Sequence, residues 1–297
     1  MEKSNKNIHV IINPAAGQND TILNKLNAVF HPAGINWDVS ITQASGDATR
    51  YAREAIENGV DIVCAYGGDG TVMEVADAVQ GGEVPMAILP GGTANLMAVE
   101  LGVSKDLTEA AQIVVSEESI IKRVDIGQAG ERYFMLRIGM GIAGEKVRLA
   151  DRELKDRYGI LAYTIAGLKA LKNAEQADYQ VTVDGEEYRV KGLTCLIDNA
   201  GNLGMAGLSA AKNISVSDGL LDLIIVRDAG FSSTISTVAS IADRGPDSDS
   251  FYHWQGREIS VVVDPPQVVQ GDGEMWGETP VTAKVIPGVL PILTPGK

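Results

Sequence analysis

The chain has 297 residues, 45% of them hydrophobic, with 33 glycines and a formal net charge of -14. That is enough for about two domains with a sizeable core and many turns, and it argues against nucleic acid as a partner and against any general attraction to anionic lipid surfaces. Two cysteines, Cys64 and Cys195, fall inside predicted strands, so they read as small buried hydrophobes and suit a reducing cytoplasm. The N-terminus MEKSNKNIHV has no apolar signal region, and no stretch reaches the roughly 18 apolar residues of a spanning helix. The expectation is a cytoplasmic protein, soluble or peripheral at the membrane, with no transmembrane segment.

Ile8 to Ile12 is a run of β-branched residues with one His, ending in Asn13-Pro14-Ala15-Ala16-Gly17. It reads as a strand whose turn lies at the carboxyl edge of a parallel sheet, where open α/β sheets bind ligands. A helix is expected over Thr21 to Phe30, then an alternating strand from Ile35 to Ile41. Thr42 follows on the same edge. Gly46-Asp47-Ala48 opens another helix, through about Glu57, and the alternation is βαβα.

Val60 to Tyr66 is an apolar run bounded by glycine, the pattern of a strand buried on both faces. After Gly67-Gly68-Asp69-Gly70, apolar residues at Val72, Val75, Ala76 and Val79 have a helical period. Thr71 and Glu74 are spaced as a capping box. Such a turn exposes N–H donors at a helix N-terminus, a site for a phosphate chain. No Lys follows the glycines, so this is not a Walker A loop. Asp69 inside a phosphate cradle would repel the ligand unless it faces a metal ion, accepts backbone N–H bonds or works on the attacking hydroxyl. A fourth strand, Val84 to Leu89, leads into a second glycine turn, Pro90-Gly91-Gly92-Thr93-Ala94-Asn95, and a helix running to Leu101.

NPAAG at Asn13, GGDGT at Gly67 and LPGGTAN at Leu89 resemble, in order and approximate spacing, the bacterial diacylglycerol kinase and sphingosine kinase-like lipid kinases. NAD kinases share the central motif but lack LPGGTAN. The resemblance implies an α/β N-terminal nucleotide-binding domain (Rossmann-like, phosphofructokinase/NAD kinase-like) followed by a β-sandwich C-terminal domain. It also implies ATP held by Asn13, Pro14, Ala15, Ala16, Gly17, Thr42, Gly67, Gly68, Asp69, Gly70, Thr71, Glu74, Gly91, Gly92, Thr93 and Asn95. The first domain is expected over 1–124, completed by 287–297, and the second over 125–286.

From about Lys122 the pattern turns to short alternating strands separated by Gly, Asp and Asn, such as Arg132 to Ile138, Tyr179 to Val183, Leu193 to Asp198, Leu220 to Val226 and Glu258 to Val263. Between them lies a helical insertion, 145–173, whose apolar second half YGILAYTIAGLKAL reads as a helix packed on the sandwich, with an acyl-chain pocket as the sharper alternative.

Two acidic constellations carry chemistry. In Ser215-Val216-Ser217-Asp218-Gly219-Leu220, the aspartate suits a hard, oxygen-ligated cation or a plain Asp-Gly turn. It resembles the family's SDGLLD element, which implies a structural Mg2+ held by Asp218 with carbonyls of Ser215 and Leu220. Gly271-Asp272-Gly273-Glu274 sets two carboxylates about a glycine, so that one can support the other in taking a proton from an alcohol. It resembles the family's DGE motif, in which one of these acids is the base, and the sequence leaves the choice between Asp272 and Glu274 open. The family's substrate-side aspartate has no counterpart in GMGIAGEK, which leaves the acceptor lipid undecided.

The reading is therefore an ATP- and Mg2+-dependent lipid kinase, with Glu274, Asp272 and Asp69 as catalytic candidates and the reacting site between the domains. Diacylglycerol is the default acceptor, and sphingoid bases or other lipid alcohols are alternatives. Transient membrane-surface contact follows from a lipid substrate, and a homodimer is left open. An NAD kinase is the competing enzyme, since Gly201-Asn202-Leu203-Gly204 echoes its glycine-rich segment. A non-catalytic nucleotide or lipid sensor would have no need of the three acids.

Overall fold

The computed structural model describes residues 6–17, 21–141, 175–201, 214–227, 247–248 and 251–296. The helical insertion expected over 145–173 and most of the GNLG segment lie outside them. The chain divides into one unit formed by residues 1–124 and 288–297 and another formed by 125–287.

The first unit runs β1 (Asn7–Ile12), α1 (Ile22–Phe30), β2 (Asn36–Ile41), α2 (Asp47–Glu57), β3 (Ile62–Gly67), α3 (Asp69–Val79), β4 (Met86–Pro90), α4 (Leu96–Glu100) and α5 (Leu107–Val115). Its strands are parallel in the order β2-β1-β3-β4. The chain leaves β1 toward one side for β2 and returns on the other for β3, and loops diverge at such a switch point to leave a ligand crevice. Every residue of β3 and β4 is buried, as strands covered on both faces require. Val60 is not in β3, because its N–H still donates to Ala55 at the end of α2.

Register matters more than the strands themselves. Ile41, Ile12, Tyr66 and Leu89 form one row across the sheet. The ladder runs one step further, with Thr42 donating to the Ile12 carbonyl (2.9 Å), Asn13 to Tyr66 (2.9 Å) and Gly91 to Gly67 (2.9 Å). All four connections thus leave the sheet at the same level.

The second unit takes over within β5 (Ile120–Ala129) and continues β6 (Arg132–Phe134), β7 (Arg137–Gly141), β8 (Ala177–Val183), β9 (Glu186–Gly192), β10 (Thr194–Asp198), β11 (Leu221–Val226), β12 (Asp247–Ser248), β13 (Phe251–Gly256), β14 (Glu258–Asp264), β15 (Val268–Gly271), β16 (Glu274–Glu278) and β17 (Val281–Thr294). One antiparallel layer contains β17-β14-β8-β9, and the other is β12-β13-β11-β10-β7-β15-β16. Alternation along β8 and β14 sends Tyr179, Val181, Val183, Ile259, Val261 and Val263 inward, against Ile138, Cys195, Ile197, Leu223 and Ile225 of the other layer. This is the core of a β-sandwich. The end of β17 belongs to the first unit, where Ile292 and Leu293 pair in parallel with Met86 and Ala87 of β4.

Cys64 and Cys195 are fully buried in β3 and β10, as their sequence positions suggest. The strand expected over Arg132 to Ile138 is instead two strands, interrupted at Met135 and Leu136. Among the described residues, no helix is long and apolar enough to cross a membrane.

Candidate active site

In the first unit, the turns after β1, β3 and β4 meet. Asn13 accepts the Ala15 N–H on Oδ1 (3.0 Å) and donates from Nδ2 to the Thr71 hydroxyl (3.0 Å), tying the NPAAG turn to the first turn of α3. The capping box read from Thr71 and Glu74 is not formed. The N-cap is Gly68, with no side-chain cap bond, because the helix begins at Asp69 and so places Thr71 inside its first turn, where its hydroxyl accepts from Asn13. Glu74 accepts the Ala48 N–H (3.1 Å) and the Ser45 hydroxyl (3.3 Å), so it caps α2 and fixes the loop that follows Thr42. Asp47 reinforces that loop by accepting the Gln43 and Ala44 N–H groups.

The first helical bond of α3 runs from Val72 N–H to Gly68 O. The N–H groups of Gly70 and Thr71 precede it and lie in the first turn, where a helix offers no carbonyl of its own. Opposite them, the PGGTAN turn is closed by Asn95, which accepts the Gly92 N–H (2.9 Å) and donates to the Gly92 carbonyl (2.7 Å) from a left-handed backbone, φ 51°. The two glycine turns touch backbone to backbone: a Cβ on Gly92 would lie 2.5 Å from the Gly68 Cα. Asp69 accepts the Met97 N–H of α4 (3.3 Å), so the acid braces the second turn. Thr93 is exposed and Thr42 is buried at the edge of β2. A helix N-terminus without a side-chain cap, flanked by glycines that keep side chains out, fits a phosphate chain.

In the second unit, Asp272 and Gly273 are the two residues of a hairpin turn between β15 and β16, with φ 45° and 92°, a type I′ turn. The Asp272 carboxylate points back into the chain. It accepts the N–H groups of Met135 (2.7 Å) and Leu136 (3.1 Å), which fill the gap between β6 and β7, and of Arg137 (2.8 Å), which begins β7. Burial pushes the Asp272 carboxyl up to about 6, against the pull of those three donors and of the Arg137 charge. Its neighbour Glu274, first residue of β16, is exposed. The two acids of the motif are thus differently employed.

Around the SDG segment, Asp218 accepts the Leu220 N–H on Oδ1 (3.0 Å), and the Gly219 N–H is taken by Asp125 of β5 (2.7 Å). Desolvation first, then the charges of Asp222 and Asp125, holds the Asp218 carboxyl above its usual range. Asp125 and Asp222 are almost wholly buried, and Asp222 lies 2.6 Å from His253 Nε2. A carboxylate crowded by like charges suits a cation, although among the described residues no three His, Cys, Asp or Glu side chains gather as a metal cluster. Carbonyl oxygens at Ser215 and Leu220 would have to complete the set.

Two further residues shape this segment. Asp125 sits in the apolar run Val124-Asp125-Ile126, and a charge there was a visible signal. Asn199 donates to the carbonyls of Met135 (2.8 Å) and Asp125 (3.1 Å), and nothing local in the sequence announces it.

A parallel α/β unit with glycine turns gathered at one edge, followed by a β-sandwich, defines a two-domain kinase-type architecture. Residues 7–129 match the diacylglycerol kinase catalytic domain, and residues 137–294 match the YegS C-terminal NAD kinase beta sandwich-like domain. The chain is 31% identical to an uncharacterized protein of Synechocystis sp. (strain ATCC 27184 / PCC 6803 / Kazusa), over 97% of this chain and 70% of the other. It is 29% identical to a protein of Staphylococcus haemolyticus (strain JCSC1435) named "putative lipid kinase", over 86% and 85%. Among solved structures, one titled as a "putative diacylglycerol kinase" from Bacillus anthracis str. Sterne superposes with a TM-score of 0.80 at 28% identity, covering 97% of each chain. The chain belongs to the diacylglycerol kinase-like lipid kinase family.

Proposed function

We propose that the protein transfers the γ-phosphoryl group of ATP to the hydroxyl of a lipid alcohol, with diacylglycerol as acceptor and phosphatidic acid as product. The observation that carries this reading is the backbone contact of Gly68 with Gly92 beside the start of α3, whose N-cap Gly68 brings no capping side chain, a cradle suited to a phosphate chain. The nucleotide, when bound, supplies the phosphoryl group and carries Mg2+ with it. The N–H groups of Gly70 and Thr71 would receive the phosphates, Asn13 holds Thr71 in place, and Asp69, which holds α4, would organise the γ end. Such chemistry asks mostly for positioning and charge stabilisation.

Glu274 takes the proton from the lipid hydroxyl. Asp272 is occupied by three backbone donors and keeps the turn rigid, whereas Glu274 is exposed and set in register by its pairing with Gly271. Asp218, with the carbonyls of Ser215 and Leu220, holds a second Mg2+ that orders the sandwich. The enzyme works in the cytoplasm and meets its lipid by transient contact with the membrane surface. Incubation with labelled ATP, Mg2+ and a panel of lipid alcohols beside NAD tests the reading: label in phosphatidic acid supports it, and label in NAD alone refutes it.

A further inference from the structure

Tyr66 closes the apolar run of β3 and is 2% exposed. Its carbonyl receives the Asn13 N–H, which begins the NPAAG turn. Its side chain fills the places where two other turns lack one. A Cβ on Gly91 would lie 2.8 Å from Tyr66 Cζ and 2.9 Å from Cε1, and a Cβ on Gly17 would lie 2.5 Å from Oη. Gly17 has φ +83°, so its backbone alone favours glycine. Gly91 has no such backbone, and the Tyr66 ring by itself accounts for the missing side chain.

We propose that Tyr66 is a positioning residue for the nucleotide: a rigid strut that sets the separation of the NPAAG and PGGTAN turns and so tunes their grip on the phosphates. The proposal rests on the reading of these turns as the ATP site. A ring wedged between two turns resists closure in a way a flexible side chain cannot, because its atoms are already in van der Waals contact on both sides. Phosphate cradles are sensitive to displacements of this kind, since about 1 Å of misplacement can cost about a hundredfold.

The test is a double-mutant cycle of Tyr66→Leu with Gly91→Ala, read by direct ATP titration and by KM and kcat for ATP and lipid. Leucine keeps a buried apolar group but removes the Cε, Cζ and Oη atoms that meet Gly91 and Gly17. Each single variant is expected to weaken ATP binding about tenfold or more, with the loss in KM for ATP and not in KM for lipid. In the double variant the new methyl occupies the space the ring has left, so it binds ATP no worse than the weaker single, a non-additive outcome that contacting residues produce. Tyr66→Phe keeps the ring against Gly91 and removes the Oη that meets Gly17, and it provides the control if Tyr66→Leu does not fold. Its loss of ATP affinity should be smaller than the about tenfold expected of Tyr66→Leu, and it should not rescue Gly91→Ala. Wild-type ATP affinity in Tyr66→Leu, losses that multiply in the double variant, or rescue by Tyr66→Phe would each overturn the strut. A wild type that binds no ATP would instead overturn the reading of the site.

Discussion

The contact between Gly68 and Gly92 makes two chemically similar substitutions behave differently. Gly92→Ala would place a methyl 2.5 Å from the Gly68 Cα, 3.0 Å from Asn95 Oδ1 and 3.2 Å from the Gly68 nitrogen. Carbon atoms rest at about 3.5–4.0 Å, so the turns must part by about 1 Å. If the phosphates lie across both turns, that displacement costs about a hundredfold in ATP affinity, or about 2.7 kcal/mol. Gly68→Ala meets only the Gly92 Cα, at 3.5 Å, and its backbone (φ -87°, ψ -175°) is open to any residue. Its stability should change by less than about 1 kcal/mol, and any affinity it loses reports ligand on that side of the turn. The assay is isothermal titration with ATP and Mg2+, beside a melting curve without nucleotide. Unchanged ATP affinity in folded Gly92→Ala protein would refute the cradle.

Three further outcomes follow from the second unit. Glu274→Gln should cut lipid phosphorylation by about 10² to 10⁴ with ATP affinity and melting temperature intact, whereas Asp272→Asn, which turns an acceptor into an NH2 facing three N–H donors, should also lose about 1–3 kcal/mol of stability. A wild-type rate in Glu274→Gln would move the base to Asp272. The raised Asp272 carboxyl, about 6 against an ordinary 3.8, binds its proton more readily folded than unfolded, so its stabilisation is full below about pH 4 and lost as pH rises through 6. Melting curves between pH 4 and 7 should therefore show a downward slope with pH that Asp272→Asn lacks, and an equal slope in both proteins would contradict the assignment. Asp218→Ala should abolish the rise in melting temperature that Mg2+ gives the wild type, and a wild type indifferent to Mg2+ and to chelator would favour a plain turn.

What the sequence displayed were features written locally. The glycine turns, the apolar runs of β3 and β4, the buried cysteines and the alternation of β8 and β14 all follow from neighbours within a few residues, and from them the α/β unit and the sandwich were legible. Features made by partners distant in the chain were not. Thr71 and Glu74 have capping-box spacing, but the Thr71 hydroxyl is claimed by Asn13, 58 residues away, and Glu74 by α2. The interruption at Met135 and Leu136 has no breaker residue, because it is imposed by Asp272, 137 residues from Met135. For the same reason the DGE motif left its two acids equivalent, and only the direction of the Asp272 carboxylate separates them.

Phosphoryl transfer to a lipid alcohol is measured as label moving from γ-32P-labelled ATP to diacylglycerol in mixed micelles with Mg2+, by wild type and Glu274→Gln side by side. The wild type should yield labelled phosphatidic acid and the variant a rate lower by about 10² to 10⁴, with both proteins binding ATP equally. A wild type that binds ATP and labels no lipid alcohol, or a variant that labels as fast as the wild type, would contradict the proposed reaction.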